Sequence, residues 1–219
     1  MTKVFLKKRI ATRIANGHPW IFNNEVEKID GDIDPADIVE VLTHDKKFIG
    51  KGYINPRSQI VVRLLTRQKA DEINDQFFLD RIRSCWEYRK KLGYVENSRL
   101  VFGEADGLPQ LIIDKFNDYF VIQTLALGID RWKPAIVNAI NALFDPKGIY
   151  ERNDVPVREL EGLPQQKGFL SAPFDTSIIM PAATAEIDTA TVDAEEHPFH
   201  CTVHPFMTGT LTIQYQALF

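Results

Sequence analysis

The chain has 219 residues, 44% of them hydrophobic, and a formal net charge of −4; its 14 Phe, 6 Tyr and 3 Trp supply enough apolar surface to exclude disorder along the whole length. Two cysteines, Cys85 and Cys201, cannot build a disulfide framework, so a reducing, cytoplasmic setting is expected. No run of about 18 apolar residues offers a transmembrane helix, and the opening residues lack the apolar stretch of a signal peptide.

The charge is segregated along the chain. Residues 1–68 hold 12 Lys and Arg against 8 Asp and Glu, residues 69–167 hold 14 against 16, and residues 168–219 hold none against 6. A basic amino-terminal module on an acidic chain fits a polyanion partner such as nucleic acid; a solvated surface with an uneven charge distribution is the plainer alternative. Lys7, Lys8, Arg9 and Arg13 form the basic cluster that would neutralise phosphates. His18 and Trp20 would stack on an unpaired base, although a ring between Pro19 and Ile21 also suits a small barrel core.

Residues 1–68 read as short β-branched runs separated by turns. Ile38–Leu42, Phe48–Ile54 and Ile60–Leu65 are predicted strands, and several strands in so short a length imply a small barrel or curled sheet. Gly50-Lys-Gly52 lies between strands rather than before a helix, so it reads as a turn or bulge and not as a dinucleotide loop.

Beyond residue 68 the period changes. Phe78, Ile82, Cys85, Arg89 and Leu92 share one helical face, with Gly93 as its stop. Leu100–Phe102, Leu111–Phe116 and Tyr119–Thr124 are predicted strands, the last two joined by a hairpin at Asn117-Asp118. Ile129, Trp132, Ile136, Ile140 and Leu143 mark a second helix ended by Asp145-Pro146, and a strand follows from Gly148. The expected class is α+β: a barrel over 1–68, then an α/β sandwich over 69–180 with helices on one sheet face. Residues 181–219 are set apart by their composition, without a single Lys or Arg. They read as an irregular, foreign continuation of the kind a change of reading frame or a recombination junction produces.

The segment Gly17-His-Pro-Trp-Ile-Phe22 with Asn24-Glu-Val26 resembles the opening of a PUA-type RNA-binding domain. More closely, the chain resembles the bacterial large-subunit (23S) ribosomal RNA (cytosine-C5) methyltransferases. The likeness runs through Gly52-Tyr-Ile-Asn-Pro56, Ser58-Gln-Ile60 and Arg63, then Gly103-Glu-Ala-Asp-Gly-Leu-Pro109 and Ile113-Asp-Lys-Phe116. It ends with Tyr150-Glu-Arg-Asn-Asp-Val-Pro-Val-Arg158 and Glu161-Gly162. The resemblance implies a ribosomal RNA partner, adds Arg63 to the RNA-contacting set, and allows a homodimer. It also implies an S-adenosylmethionine domain further on, whose Gly-Gln-Lys-Thr-Gly stretch, glycine-rich loop, Asp-Pro-Pro motif and nucleophile segment do not occur in these residues. The expectation is therefore an RNA-binding amino-terminal part with no cofactor of its own, catalytically incompetent alone. A stand-alone PUA-type RNA-binding or adaptor protein is the alternative.

Methylation at cytosine C5 requires a thiolate, a base and a methyl donor. Cys85 falls on a buried helical face and reads as core; His197, His200, Cys201 and His204 match no standard zinc spacing, so neither a catalytic residue nor a metal site is assigned. Arg152, Asp154 and Arg158 are candidates for orienting substrate or bracing a further domain, with an internal salt-bridge network as the alternative.

Overall fold

Phe22 and Val26 are separated by a three-residue 3-10 turn, Asn23–Glu25, yet they belong to strands at opposite edges of one six-stranded sheet. The strands are β1 (Lys3–Leu6), β2 (Trp20–Phe22), β3 (Val26–Asp30), β4 (Ile38–Leu42), β5 (Phe48–Ile54) and β6 (Ile60–Thr66). Their order is β2-β6-β5-β4-β1-β3, with β1 parallel to β4 and every other pair antiparallel. Laid flat, six strands at about 4.8 Å spacing would hold their edges roughly 24 Å apart, whereas a turn of this length reaches about 14 Å. The sheet must therefore curl until its edges lie within that reach. Val4, Leu6, Ile21, Val39, Val41 and Val62 fill the inside, joined by Ile14 from the single-turn helix α1 (Thr12–Ala15).

These features come from a computed structural model that describes residues 1–8, 12–179, 196–200 and 208–212. By its contacts the chain divides into two units, Met1–Ile179 and Met180–Phe219.

The rest of the first unit is a second sheet with its helices. In chain order it comprises α2 (Asp75–Lys91), β7 (Asn97–Phe102), β8 (Leu111–Phe116), β9 (Tyr119–Thr124), α3 (Leu127–Arg131), α4 (Lys133–Phe144), β10 (Gly148–Asn153), α5 (Val157–Leu160) and β11 (Gln166–Phe169). The sheet order is β11-β10-β9-β8-β7; β10 runs parallel to β9 and the other pairs are antiparallel. Alternate strand residues Ile113, Phe120, Ile122 and Ile149 pack with Phe78, Ile82 and Cys85 of α2 and with Ile136 and Ile140 of α4. The architecture is mixed α+β, a curled PUA-like sheet beside a second sheet layered with helices, in the class expected.

The predicted elements appear, with one division. The expected second helix is two, α3 and α4, meeting at Trp132. Pro134 lacks the N–H that would return to Asp130, so the helix cannot run through. Gly93 ends α2 at φ +84°, and Asn117 takes φ +51° in the β8–β9 turn. At Gly50-Lys-Gly52 the strand register shifts, so the segment is a bulge within β5, and the backbone of Arg63 approaches so closely that a Cβ on Gly52 would lie 2.0 Å from its carbonyl oxygen.

In the second unit the described residues are two strands paired antiparallel, β12 (Glu196–His200) with β13 (Thr208–Thr212). Alternation of Thr with Gly and Leu in the second strand suits extended backbone. Cys201 and His204 lie outside the described residues.

The two sheets of the first unit share a core. Tyr53 and Leu65, from β5 and β6, belong to the cluster beneath α2 and α4, and the Tyr53 hydroxyl donates to the Pro109 carbonyl at 2.7 Å. The Tyr53 ring fills the space over Gly128, where a Cβ would fall 2.0 Å from it. Gly128→Ala should therefore cost about 3 kcal/mol from overpacking. A urea midpoint equal to the parent's would show that this joint is looser than described.

Candidate nucleic-acid interface

The segment between α1 and β2 folds back on itself. Gly17 adopts φ +102°, and the His18 N–H reaches the Arg13 carbonyl at 2.9 Å. This reversal brings His18 and Trp20 over Arg13. The Arg13 guanidinium donates to the Trp20 carbonyl at 2.5 Å, pairs with the Glu25 carboxylate and lies 4.7 Å from the centre of the Phe22 ring. His18 Nδ1 faces two donors, the Trp20 N–H at 3.3 Å and Arg13 at 3.4 Å, so that nitrogen carries the lone pair and Nε2 the proton.

Lys7 and Lys8 are exposed beside this group. The Lys7 N–H donates to the Glu25 carbonyl at 2.9 Å, which sets Lys7 against the residue that anchors Arg13. Four sequence-predicted residues, Lys7, Arg13, His18 and Trp20, thus share one face with Lys8 adjoining, and Arg9 lies outside the described residues. Arg67 was not anticipated. It donates to the Ile14 and His18 carbonyls at 3.0 and 3.1 Å and adds a further cation behind the same turn. Its position one residue beyond β6 was the available signal.

Trp20 is half-buried, resolving its two alternatives into an intermediate. Its Nε1–H donates to Glu104 Oε1 at 2.7 Å, and its ring meets His18 edge-on at 5.1 Å. Glu104 belongs to the Gly103–Leu108 segment, in which Gly103 and Gly107 take positive φ and Asp106 holds Arg89 at 2.6 Å. That motif is a bolt between barrel and second sheet.

Arg63, expected to contact RNA, is only 4% exposed. Its neighbours Val62 and Leu64 point into the barrel, so strand alternation turns Arg63 outward against the second sheet. There it meets Glu161, with Nη2 at 2.7 Å from Oε1 and Nη1 at 3.3 Å from Oε2. The same carboxylate accepts from Ser58 Oγ at 2.6 Å and Asn55 Nδ2 at 2.9 Å. Burial opposes the charge on Glu161, but Arg63 and these hydrogen bonds outweigh it and hold the carboxyl below the usual range. The expected surface contact is corrected to an internal ion pair.

Arg158 is likewise turned inward. Fully buried, it donates to the Pro164 carbonyl and to Asp130 Oδ1, each at 2.9 Å, and to the Thr124 carbonyl. Asp130 also accepts from Thr124 Oγ1 at 2.6 Å and Lys133 at 3.1 Å; Lys133 in turn reaches Glu151 at 2.8 Å. Arg152 pairs with Asp154 at 3.0 Å near the surface, with Lys167 at 3.9 Å. Of these three residues, Arg158 has the form of the internal network, whereas the Arg152–Asp154 pair stays near the surface.

Four glycines are closed from within the protein: Gly50 by the Thr66 carbonyl, Gly52 by Arg63, Gly128 by Tyr53 and Gly148 by the Phe174 ring. Burial, reinforced by Asp106, pushes the Cys85 thiol up to about 11, which suits a core residue rather than a nucleophile. Among the described residues no group of three His, Cys, Asp or Glu is placed to hold a metal, and no helix is long and apolar enough to cross a membrane.

Residues 4–67 match the family model of the PUA-like domain. Over a longer span the chain is similar to proteins named ribosomal RNA large subunit methyltransferase I. That of Cronobacter sakazakii is 32% identical over 181 residues, covering 81% of this chain and 46% of the relative. That of Aliivibrio fischeri is 34% identical over 170 residues, covering 76% and 43%. The chain therefore spans under half the length of the curated relatives it matches. Among solved structures, a Streptococcus mutans protein assigned as a SAM-dependent methyltransferase aligns with a TM-score of 0.59 at 16% identity, covering 69% of this chain and 40% of that one. This likeness is one of fold.

The Glu161 network sets a pH dependence. A carboxyl with a folded pKa below its unfolded value of about 4.3 contributes its full stabilisation above that pH and loses it as pH falls through the folded value. Glu161→Gln should lower stability by about 3 kcal/mol at neutral pH, leaving Arg63 buried without a counter-charge. It should also flatten the acid limb of the stability profile, as urea midpoints measured across pH would reveal.

Proposed function

We propose that residues 1–179 are the RNA-docking part of a protein that acts on large-subunit ribosomal RNA, with residues 1–68 as its RNA-binding domain and 69–180 as a central α+β domain. The observation that carries this reading is the face on which Lys7, Lys8, Arg13, His18 and Trp20 gather on a PUA-like barrel. Cations there neutralise phosphates and position the strand, while the rings offer a stacking surface for unpaired bases. Arg9 belongs to the same proposed surface. Arg152 and Asp154 form a candidate surface for a catalytic region, whereas the buried Arg63 ties the barrel to Glu161 and the buried Arg158 braces the second domain internally.

The reaction served is S-adenosylmethionine-dependent methyl transfer to 23S rRNA, at cytosine C5, in the cytoplasm, by a protein able to form a homodimer. The relatives' names support methyl transfer to large-subunit ribosomal RNA, and the resemblance carried by the quoted motifs is the ground for the finer reading. Methyl transfer itself needs a donor-binding region outside these 219 residues, supplied in the same polypeptide or in trans. Alone, the chain docks RNA and is catalytically incompetent.

The purified chain should bind a structured large-subunit rRNA fragment with an affinity that falls steeply with salt. Lys7→Ala with Lys8→Ala should lower the slope of log affinity against log salt by about 2, one for each phosphate left without its cation. Calorimetry should give no heat on titration with S-adenosylmethionine. A salt-independent affinity overturns the RNA reading, and donor binding overturns the division of labour.

A further inference from the structure

An open depression of about 430 Å³ lies at the barrel rim beside Arg13 and is lined by Phe22, Asn23, Asn24, Glu25 and Gln59. Resting on the proposed RNA-docking role, we infer that this depression is a subsite for one unstacked adenine base of a single-stranded RNA segment.

Its walls divide into a stacking part and a reading part. The Arg13 guanidinium and the Phe22 ring, 4.7 Å apart, supply planar surfaces of the kind on which splayed-out bases stack. Asn23, Asn24 and Gln59 are exposed, and their side-chain amides make no hydrogen bond to the described residues. An amide carries a donor beside an acceptor and matches the amino group and ring nitrogen of adenine in a bidentate pair.

The charges select among bases. On its Hoogsteen edge guanine presents two acceptors, N7 and O6, and is read there by a free Arg or Lys fork. The Arg13 fork is occupied by Glu25 and the Trp20 carbonyl. The Glu25 carboxylate on the wall is an acceptor that repels the N7/O6 edge of guanine and welcomes the N6 amino group on the corresponding edge of adenine. Adenine also offers more stacking area than either pyrimidine.

The walls are also held in place. The Phe22 N–H donates to Glu25 Oε2 at 2.8 Å, which fixes the Asn23–Glu25 turn. The Asn23 N–H donates to the Gln59 carbonyl at 3.1 Å, joining the two segments that bear the amides. Gln59 follows Ser58, which Glu161 anchors at 2.6 Å. A subsite with little freedom to lose on binding costs less to fill.

The test uses the full chain and short uridine oligoribonucleotides with a single central adenosine, cytidine or guanosine, or none, followed by fluorescence anisotropy. The adenosine probe should bind at least about fivefold more tightly than the others. In the triple variant Asn23→Ala, Asn24→Ala, Gln59→Ala the preference should vanish, with the salt slope and thermal midpoint unchanged. Equal binding of all four probes, preference for another base, or a preference that survives the triple variant overturns the subsite while salt-dependent rRNA binding leaves the docking role standing. Failure to bind any RNA overturns both.

Discussion

The first unit depends on one buried carboxylate. Glu161, at the end of α5, takes hydrogen bonds from Asn55 and Ser58 in the β5–β6 turn and an ion pair from Arg63 of β6. An isolated charge in that position would be strongly unfavourable, and four donor contacts with an opposite charge make it tolerable. The arrangement is demanding in geometry, because every donor must arrive together. Docking of barrel and second sheet is thereby confined to one register. The Trp20–Glu104 bond and the Tyr53 ring over Gly128 secure the same joint at two further points.

That joint determines what is left for the outer surface. Arginines seated inside carry framework duties, whereas Lys7, Lys8 and Arg13 stay at the rim. Arg13 is intermediate in kind. Its carboxylate partner, a ring beneath it and a backbone carbonyl hold the guanidinium in one orientation, yet the side chain remains 31% exposed. A cation fixed in this way offers a planar surface as well as charge, and gives up little side-chain freedom when a ligand arrives.

Much of the fold was legible because its signals are local. Ile38–Leu42 alternates, Phe78, Ile82 and Cys85 recur at helical spacing, and Asn117-Asp118 sits between two strand-like runs. The short strands β1 and β2 carry too few residues to show a period, β3 (Val-Glu-Lys-Ile-Asp) does not alternate, and the pairing of all three is set by partners distant in the chain. α5 and β11 are similarly brief. The site was half legible. Clustering of Lys7, Lys8 and Arg13 can be counted along the sequence, but whether an arginine faces water or a carboxylate depends on a partner about a hundred positions away, as with Arg63 and Glu161. The resemblance motifs had the same ambiguity. Asn55, Ser58, Arg63 and Glu161, quoted from separate segments, converge on one point that only the three-dimensional arrangement reveals. Of the depression at the rim only Arg13 was signalled in the sequence, since its amides come from two turns.

The position of β1 has a consequence for biosynthesis. It is inserted between β3 and β4, antiparallel to one and parallel to the other. Synthesised before either neighbour, β1 keeps at least one edge unpaired until both have been made, and the barrel cannot close until β6 has emerged from the ribosome to receive β2. Long-range pairing of this kind is slow and leaves strand edges exposed in the nascent state. Lys3 at its outset and Lys7 and Lys8 just beyond it place positive charge around that waiting edge, where charge discourages association with other chains.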